Sequence, residues 1–579
     1  MKPQQVTHDI CRLYLKDLLL QPWSEEERAV LTKISGFHRS RDIAALSSVT
    51  KHVGLACPTV QLFRALLQIE AFYKKNAAFA EDEKCMTAAR ASFLDAEAHC
   101  RITNRRLDWY YMKPERLAPD LRSYLSKMER FIHSVLGPFE EFLEDLPREL
   151  RVTDGATASG SRRNSLPFMK IRRSYHCPSR ARPYLRAAAL FFGMPVPKLK
   201  VCSTNRVEVV PKNWETYRTI ACEPDGVMPF QLAFDSYGKR RLKRVGIDLS
   251  SQSKNQSFAR EGSVSNKIAT VDLKSASDTA AYNAVAWLFP EPWFQYLDAF
   301  RSTDYKGPFG VGNYAKFSSM GNGSTFVIET LIFASACAAV GSKIRCVYGD
   351  DIIIESHLVD ELIRLLRFIG FVVNQGKTHV NGPYRESCGE HWYEGQLITP
   401  FYVRDEFRLR SEMCHLVNGL ASICVPRGHL WGYLLSLVES LDLPVVPFNE
   451  SSTSGIYCLP ADALAAKLIR TRLKQHMWVP VYRAFVSKTK SKVVADSRTL
   501  FLWYLDAYRS ERSERDVLVP RARCRSTVSL PTHRFVRKWV CWRQPARPLP
   551  THLYWWSEDL VLHKARTGPR SLPGPKGPE

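Results

Sequence analysis

One short segment constrains the fold more than any other. Cys346-Val-Tyr348 and Ile352-Ile-Ile354 are apolar, β-rich runs, and Gly349-Asp-Asp351 joins them in a tight turn. Two such runs flanking a short Gly/Asp turn predict a β-hairpin. Gly-Asp-Asp also occurs in solvated turns, but here the flanks are apolar, so the hairpin is expected to rise from a buried sheet. Two adjacent carboxylates at its tip repel each other and disfavour the arrangement unless a cation sits there.

The surrounding pattern supplies the rest of that sheet. Lys267–Leu273 reads as a strand ending in a third carboxylate, Asp272. Ser275 or Ser277 can cap a helix expected over Asp278–Leu288. Gly321-Asn-Gly323 opens a second helix, Thr325–Val340, which Gly341 closes. Strands follow at Ile344–Tyr348 and Ile352–Glu355, then a helix at Val359–Ile369 ended by Gly370, then a strand at Phe371–Asn374. This order suits an antiparallel sheet backed by helices, of the ferredoxin-like or RRM-like kind, within an α+β fold.

If the two strand ends are neighbours, Asp272, Asp350 and Asp351 converge. Oxygen donors of this kind suit Mg²⁺, whereas nitrogen and sulfur would select softer metals. Two such ions roughly 3.5–4 Å apart can clamp the attacking and leaving oxygens of an in-line displacement.

The bulk composition points the same way. Lys and Arg total 82 against 58 Asp and Glu, so 82 − 58 gives +24 in 579 residues. That surplus favours a polyanionic partner. An anionic membrane is the competing partner of a basic chain, but no apolar run is long enough to span one. Thr325–Val340 comes nearest and is interrupted by Glu329. The N-terminal stretch lacks the apolar core and cleavage pattern of a signal peptide, so a cytosolic location is expected. The 15 cysteines contain no C-x-x-C pair, which argues against a zinc site of usual spacing and for reduced, mostly buried thiols.

Along the chain, residues up to about Leu150 are largely helical, with clear spacing at Asp9–Leu20 and Thr59–Phe72. A polar loop, Thr153–Ser161, leads into a basic run, Arg162–Arg186, that includes Arg163, Lys170, Arg172 and Arg173 with Tyr175 and Tyr184 interleaved. Lys239–Arg244 is a second basic cluster. Beyond Pro400 the chain reads as helical and mixed, and its Pro/Gly-rich last residues, 566–579, as disordered.

The joint order of several motifs resembles viral RNA-dependent RNA polymerases, most closely the replicase subunit of the single-stranded RNA bacteriophages (leviviruses). The motifs are Val210-Pro-Lys-Asn-Trp-Glu-Thr-Tyr-Arg218 with Glu223-Pro224; Gly246-Ile-Asp-Leu249; Glu261-Gly-Ser263; Asp272-Leu-Lys-Ser-Ala-Ser-Asp278; Ser318-Ser-Met-Gly-Asn-Gly323 with Thr325, Phe326 and Glu329; Tyr348-Gly-Asp-Asp351; Asn374 with Lys377-Thr378; and Arg385-Glu-Ser-Cys-Gly389 with His391. The resemblance runs from about Val209 to Val403.

It implies an RNA-directed RNA polymerase replicating a phage genome by two-metal nucleotidyl transfer. Asp272 and Asp350 are then the main ligands of two Mg²⁺ ions (Mn²⁺ can substitute), Asp351 assists, and Lys377 is the general acid to pyrophosphate. Lys212 and Arg218 grip the incoming triphosphate, and Asp278 accepts a hydrogen bond from the ribose 2′-hydroxyl, the group that separates RNA from DNA. Ser319, Gly321, Asn322 and Thr325 hold the templating pair and the sugar. Arg162, Arg163, Lys170, Arg172 and Arg173 line template entry. The implied architecture is a right hand: 1–160 as part of the fingers, 161–250 as fingers with a basic channel, 251–400 as palm, 401–565 as a mainly helical thumb. Host elongation factors Tu and Ts and ribosomal protein S1 are the implied partners, with no membrane, in the cytoplasm of an infected bacterium.

Three departures concern nucleotide contacts rather than metal ligands: Val227 where the family often has Asn, Lys274 where a small residue is usual, and the glycine-rich Gly307–Tyr314. Gly349 and Asp278 speak against a reverse transcriptase. Arg385–Gly389 speaks against a replicase of the capsidless relatives. A non-catalytic RNA-binding protein leaves the acidic motifs unexplained, because acids at a binding surface repel phosphates.

Overall fold

The computed structural model describes residues 2–52, 58–153, 155–160, 170, 174–191, 198–404, 407, 409–474, 477–493, 525–539 and 549–567. The chain divides into two compact units, one of 82–399 with 492–526, the other of 1–81, 400–491 and 527–579. The first boundary between the two units falls near residue 81.

In the larger unit the expected sheet is present. Asp351–Glu355 lies between Ile268–Val271 and Cys346–Tyr348, antiparallel to both. Ile352, Ile353 and Ile354 are buried, each contributing about 1.5–3 kcal/mol of transfer free energy. Behind the sheet runs Thr325–Ala339, which is apolar on nearly every face and buried along almost its whole length. That is the signature of an interior helix, and among the described residues no helix is long and apolar enough to cross a membrane. Val359–Ile369 ends, as expected, at Gly370 in the left-handed conformation.

Two expected elements differ. The helix over Asp278–Leu288 is broken into Ala276–Thr279 and Tyr282–Leu288. Between them the Ala280 carbonyl accepts from Phe317 N–H at 2.7 Å, and Tyr282 N–H donates to Ala315. Cross-chain bonding to 315–317 thus takes the groups that a continuous helix needs. Ser275 precedes the first piece at φ 50 without a side-chain cap. The strand expected at Phe371–Asn374 is reduced to isolated bridges, Leu273 with Val373 and Thr270 with His379. The intervening turn still occupies the free edge of Ile268–Val271.

A second sheet has the order Tyr217–Cys222, Thr204–Pro211, Asp304–Gly307, Gly310–Asn313. A third element, the hairpin Tyr384–Ser387 with Glu390–Tyr393, is fixed by Arg385. This fully buried guanidinium donates to the carbonyls of Ile268 (2.8 Å), Gly382 (2.9 Å), Tyr384 (2.7 Å) and Val380 (2.6 Å) and to Asn266 Oδ1 (3.3 Å). Neutral acceptors satisfy its donors and reduce the cost of burying them.

The other unit gathers the helices Pro3–Leu19, Glu25–Ser40, Val60–Tyr73, Arg410–Ala421 and His429–Ser440 around one core. Ser24 and Glu27 form a capping box at the second of these. Buried Asp17 caps the helix at His429, accepting from His429 N–H at 2.7 Å and Leu430 N–H at 2.9 Å. The region expected to be mainly helical also holds a sheet of Arg470–Lys474, Met477–Val493 and Arg525–Trp539. The tail expected from 566 lies outside the described residues beyond Thr567.

Candidate active site

The register of the central sheet brings the acids together. Val271 pairs with Ile352 and Tyr348 with Asp351. Asp272 is therefore one step beyond the last pair, opposite Asp351, where directly opposed Cβ atoms lie roughly 5 Å apart. Asp350 is exposed at the hairpin tip. Burial pushes Asp272 up to about 6, with Asp350 and Glu386 adding to the shift and Lys377 and Asn374 opposing it. Burial likewise pushes Asp351 up to about 7, helped by Glu386, Asp350 and Asp272. Four carboxylates thus feel one another. Glu386 had no role assigned from sequence; alternation around buried Arg385 was the one signal that it faces the opposite way.

The supports are specific. Asn374 donates its side-chain amide to Asp272 Oδ2 at 2.7 Å, and Lys377 Nζ stands 3.8 Å from the same oxygen. Asn255 donates to the Asp351 carbonyl at 3.1 Å. Gly349 has φ +60, and a Cβ there would come within 2.5 Å of the Phe326 ring, so the hairpin tip needs glycine. Below it, Glu329 on the interior helix is buried, and its Oε1 has no hydrogen-bond partner among the described residues. Burial first, then Asp350 and Asp278, push Glu329 well above the usual carboxylate range.

This donor set is all oxygen, and burial holds two of its acids, Asp272 and Asp351, above the usual carboxylate range. Among the described residues no three His, Cys, Asp or Glu side chains form a ready-made cation cage. An all-oxygen set of this kind could contribute one or two carboxylates to a hard cation, the kind of cation that takes its other ligands from water and substrate.

Cations rim the acids. Lys212 and Arg218 flank the turn after Thr204–Pro211, where Val210 pairs with Arg218 and Asn213 Oδ1 accepts from Glu215 and Thr216 N–H. The Lys212 ammonium is lowered by loss of water, then by Arg218 and Lys377, while Asp272 and Asp350 pull it back. These five residues therefore share one field. Asp278 is half-buried on the short helix Ala276–Thr279 and pairs with Lys316 at 2.7 Å.

The Ser318–Thr325 loop packs inward. Gly321 has φ +108, and a Cβ there would lie 2.2 Å from the Ala221 carbonyl. Asn322 Oδ1 accepts from Ser324 N–H at 2.8 Å, and the Thr325 hydroxyl donates to Ser318 Oγ and the Ser319 carbonyl. Ser319, Asn322 and Thr325 are all buried. The side chains of Asn322 and Thr325 bond within the loop, whereas the buried Ser319 hydroxyl has no hydrogen-bond partner among the described residues.

Comparison with known proteins settles the family. The profile of the family described as RNA replicase, beta-chain, matches residues 42–530. The chain belongs to the RNA replicase beta-chain family. The RNA-directed RNA polymerase subunit beta of Enterobacteria phage SP is 38% identical over 349 residues, covering 58% of this chain and 59% of that one. The protein of the same description from Escherichia virus Qbeta is 38% identical over 341 residues, covering 57% of each. The RNA-directed RNA polymerase beta chain of Escherichia phage MS2 is 35% identical over 300 residues, covering 48% and 54%. The chain thus spans less than two thirds of the length of these relatives.

Of the residues expected to meet RNA, Arg162, Arg163, Arg172 and Arg173 lie outside the described residues. Lys170 is buried, and its ammonium donates to the Thr153 carbonyl at 2.5 Å. The Lys239–Arg244 cluster is largely neutralised within the fold. Lys239 pairs with Asp235 at 2.8 Å, Arg240 with Asp145 and Glu149, Arg241 with Glu141 and Lys243 with Asp248.

Proposed function

We propose that this chain is an RNA-directed RNA polymerase that replicates the genome of a single-stranded RNA phage. The observation that carries the reading is the meeting of Asp272 and Asp351 at neighbouring strand ends, with Asp350 at the tip and Lys212, Arg218 and Lys377 within the same field. Membership of the replicase family supports it, as does the +24 charge.

Asp272 and Asp350 would hold two Mg²⁺ ions (Mn²⁺ can substitute) with help from Asp351; when bound, these ions supply acidity to the attacking 3′-hydroxyl and neutralise charge on the leaving pyrophosphate. Lys212 and Arg218 would bind the triphosphate, because cations there offset the charge that builds in phosphoryl transfer. Lys377 would give its Nζ proton to the leaving pyrophosphate oxygen. Asp278 would accept the ribose 2′-hydroxyl, and the Ser319–Thr325 loop would floor the templating pair. Arg162, Arg163, Arg172 and Arg173 would track the template backbone, a role that rests on their sequence alone. A right-hand arrangement, host factors Tu, Ts and S1 and action in the bacterial cytoplasm rest on the same family resemblance.

The test is template-directed synthesis by the full chain, purified with whatever host proteins accompany it, on a short RNA of known sequence with Mg²⁺. Omitting one nucleotide should stop the product at the first template position that calls for it. Product that ignores the template, or no product at all, contradicts the assignment.

A further inference from the structure

A buried lysine stands behind the acid assigned to the sugar. Lys316 is 1% exposed, and its ammonium is 2.7 Å from Asp278 Oδ1 and 3.6 Å from Glu97 Oε1. It also lies over the rings of Phe93 at 4.5 Å and Tyr314 at 5.0 Å. Removing an ammonium from water is costly, and only close counter-charge and aromatic faces make such a site tolerable. Glu97 is itself fixed, since its Oε2 accepts from Ala315 N–H at 2.6 Å.

The same lysine is tied to the Asp278 segment through its backbone. Lys316 forms a bridge with Ala281, and its neighbours Ala315 and Phe317 bond to Tyr282 and Ala280. Two residues further on begins the loop in which Ser318 and Ser319 accept from Thr325. Lys316 therefore connects the acid, the helix break after it and the loop at the templating position. One oxygen of Asp278 is committed to the ammonium. No hydrogen bond to the other oxygen is seen among the described residues, and the side chain is 20% exposed.

We propose that Lys316, backed by Glu97, is the positioning residue for sugar selection: it holds Asp278 Oδ1 so that Oδ2 faces the 2′-hydroxyl of the incoming nucleotide. The proposal rests on the assignment of Asp278 to the sugar and adds the residue that orients it. A carboxylate with one oxygen bound to an ammonium is fixed in rotation, so it accepts a hydroxyl in one direction only. A freely rotating Asp278 would also meet water and lose discrimination.

The experiment measures the ratio of kcat/KM for a ribonucleotide to that for its 2′-deoxy analogue, on a fixed RNA template, in the wild type, Lys316→Met, Asp278→Ala and the double variant. The expected result is a fall in the ratio of at least about tenfold in Lys316→Met, a similar fall in Asp278→Ala, and no further fall in the double variant. A merely structural role would lower both rates together and leave the ratio unchanged. A fall in Asp278→Ala with an unchanged ratio in Lys316→Met overturns the proposal and leaves Asp278 as the sugar contact. An unchanged ratio in Asp278→Ala overturns the sugar assignment itself. Should Lys316→Met not fold, Lys316→Gln decides: it keeps an uncharged N–H donor, so its ratio should fall to between those of wild type and Asp278→Ala, and a wild-type ratio overturns the proposal.

Discussion

Asn374 grips Asp272 twice, donating its side-chain amide to Oδ2 at 2.7 Å and its backbone N–H to the Asp272 carbonyl at 2.9 Å. This fixes the carboxylate's rotation from outside the sheet. Partners of this kind are typically worth 10–100-fold in metal affinity or activity. Asn374→Ala should therefore lower nucleotide addition by about that factor and raise the Mg²⁺ concentration needed for half-maximal rate. A Mg²⁺ dependence identical to wild type would show that the contact only supports the fold.

The raised acids give the metal dependence a pH signature. Asp272 and Asp351 rise from 3.8 to about 6 and about 7 in the folded chain. A carboxyl whose folded value is raised favours the folded state while protonated. That contribution is lost as pH climbs from about 4 through 7. A bound dication reverses the penalty by stabilising the ionised form. The rise in melting temperature on adding Mg²⁺ should thus be clear at pH 8 and small at pH 5.5. An equal rise at both would place the ion elsewhere.

Glu329 makes the converse case, a buried acid with no cation expected on it. Its folded value is raised well above 4.5, so it too costs stability as pH climbs above its unfolded value. Glu329→Gln keeps the size and removes the ionisation. Relative to wild type, this variant should gain thermal stability at pH 8 compared with pH 5. Glu329→Lys should prevent folding, since it buries an unpaired charge. A Gln variant that melts lower by the same amount at both pH values would mean that Glu329 acts through shape alone.

Lys377 is exposed yet within 3.8 Å of Asp272, which places a proton donor at the edge of the acids. If it protonates the leaving pyrophosphate, Lys377→Leu should lose about 10²–10⁴ in kcat with little change in RNA affinity, and Lys377→Arg, whose guanidinium does not release its proton, should not restore the rate. Single-turnover addition measures this, and full activity in the Leu variant would remove Lys377 from the chemistry.

How much of this could be read from the residues depends on range. The hairpin at Gly349-Asp-Asp351 and the strand ending at Asp272 were legible because turn chemistry and apolar runs are local signals. Gly370 was legible for the same reason. The break at Ala280-Ala281 was not: alanines favour helix, and only bonding to residues 315–317 interrupts it. The role of Lys316 was not legible, because nothing nearby in sequence shows that Glu97, 219 positions earlier (316 − 97), shares its site. Helical spacing in Asp9–Leu20 and Thr59–Phe72 pointed to helices but not to a core shared with residues beyond 400. The contact of Lys170 with the Thr153 carbonyl was not legible, because a lone long side chain carries no mark of the carbonyl it meets.

The central claim is that the tip of the hairpin performs the chemistry. The direct measurement is nucleotide addition by Asp350→Asn beside wild type on the same RNA template, with RNA binding followed in parallel. Asn keeps the shape of the turn and removes the charge, and Asp350 is exposed, so the fold should be undisturbed. The account predicts that addition is abolished while RNA binding stays within a few-fold of wild type. Continued synthesis by Asp350→Asn would contradict it and move the reacting centre away from these acids.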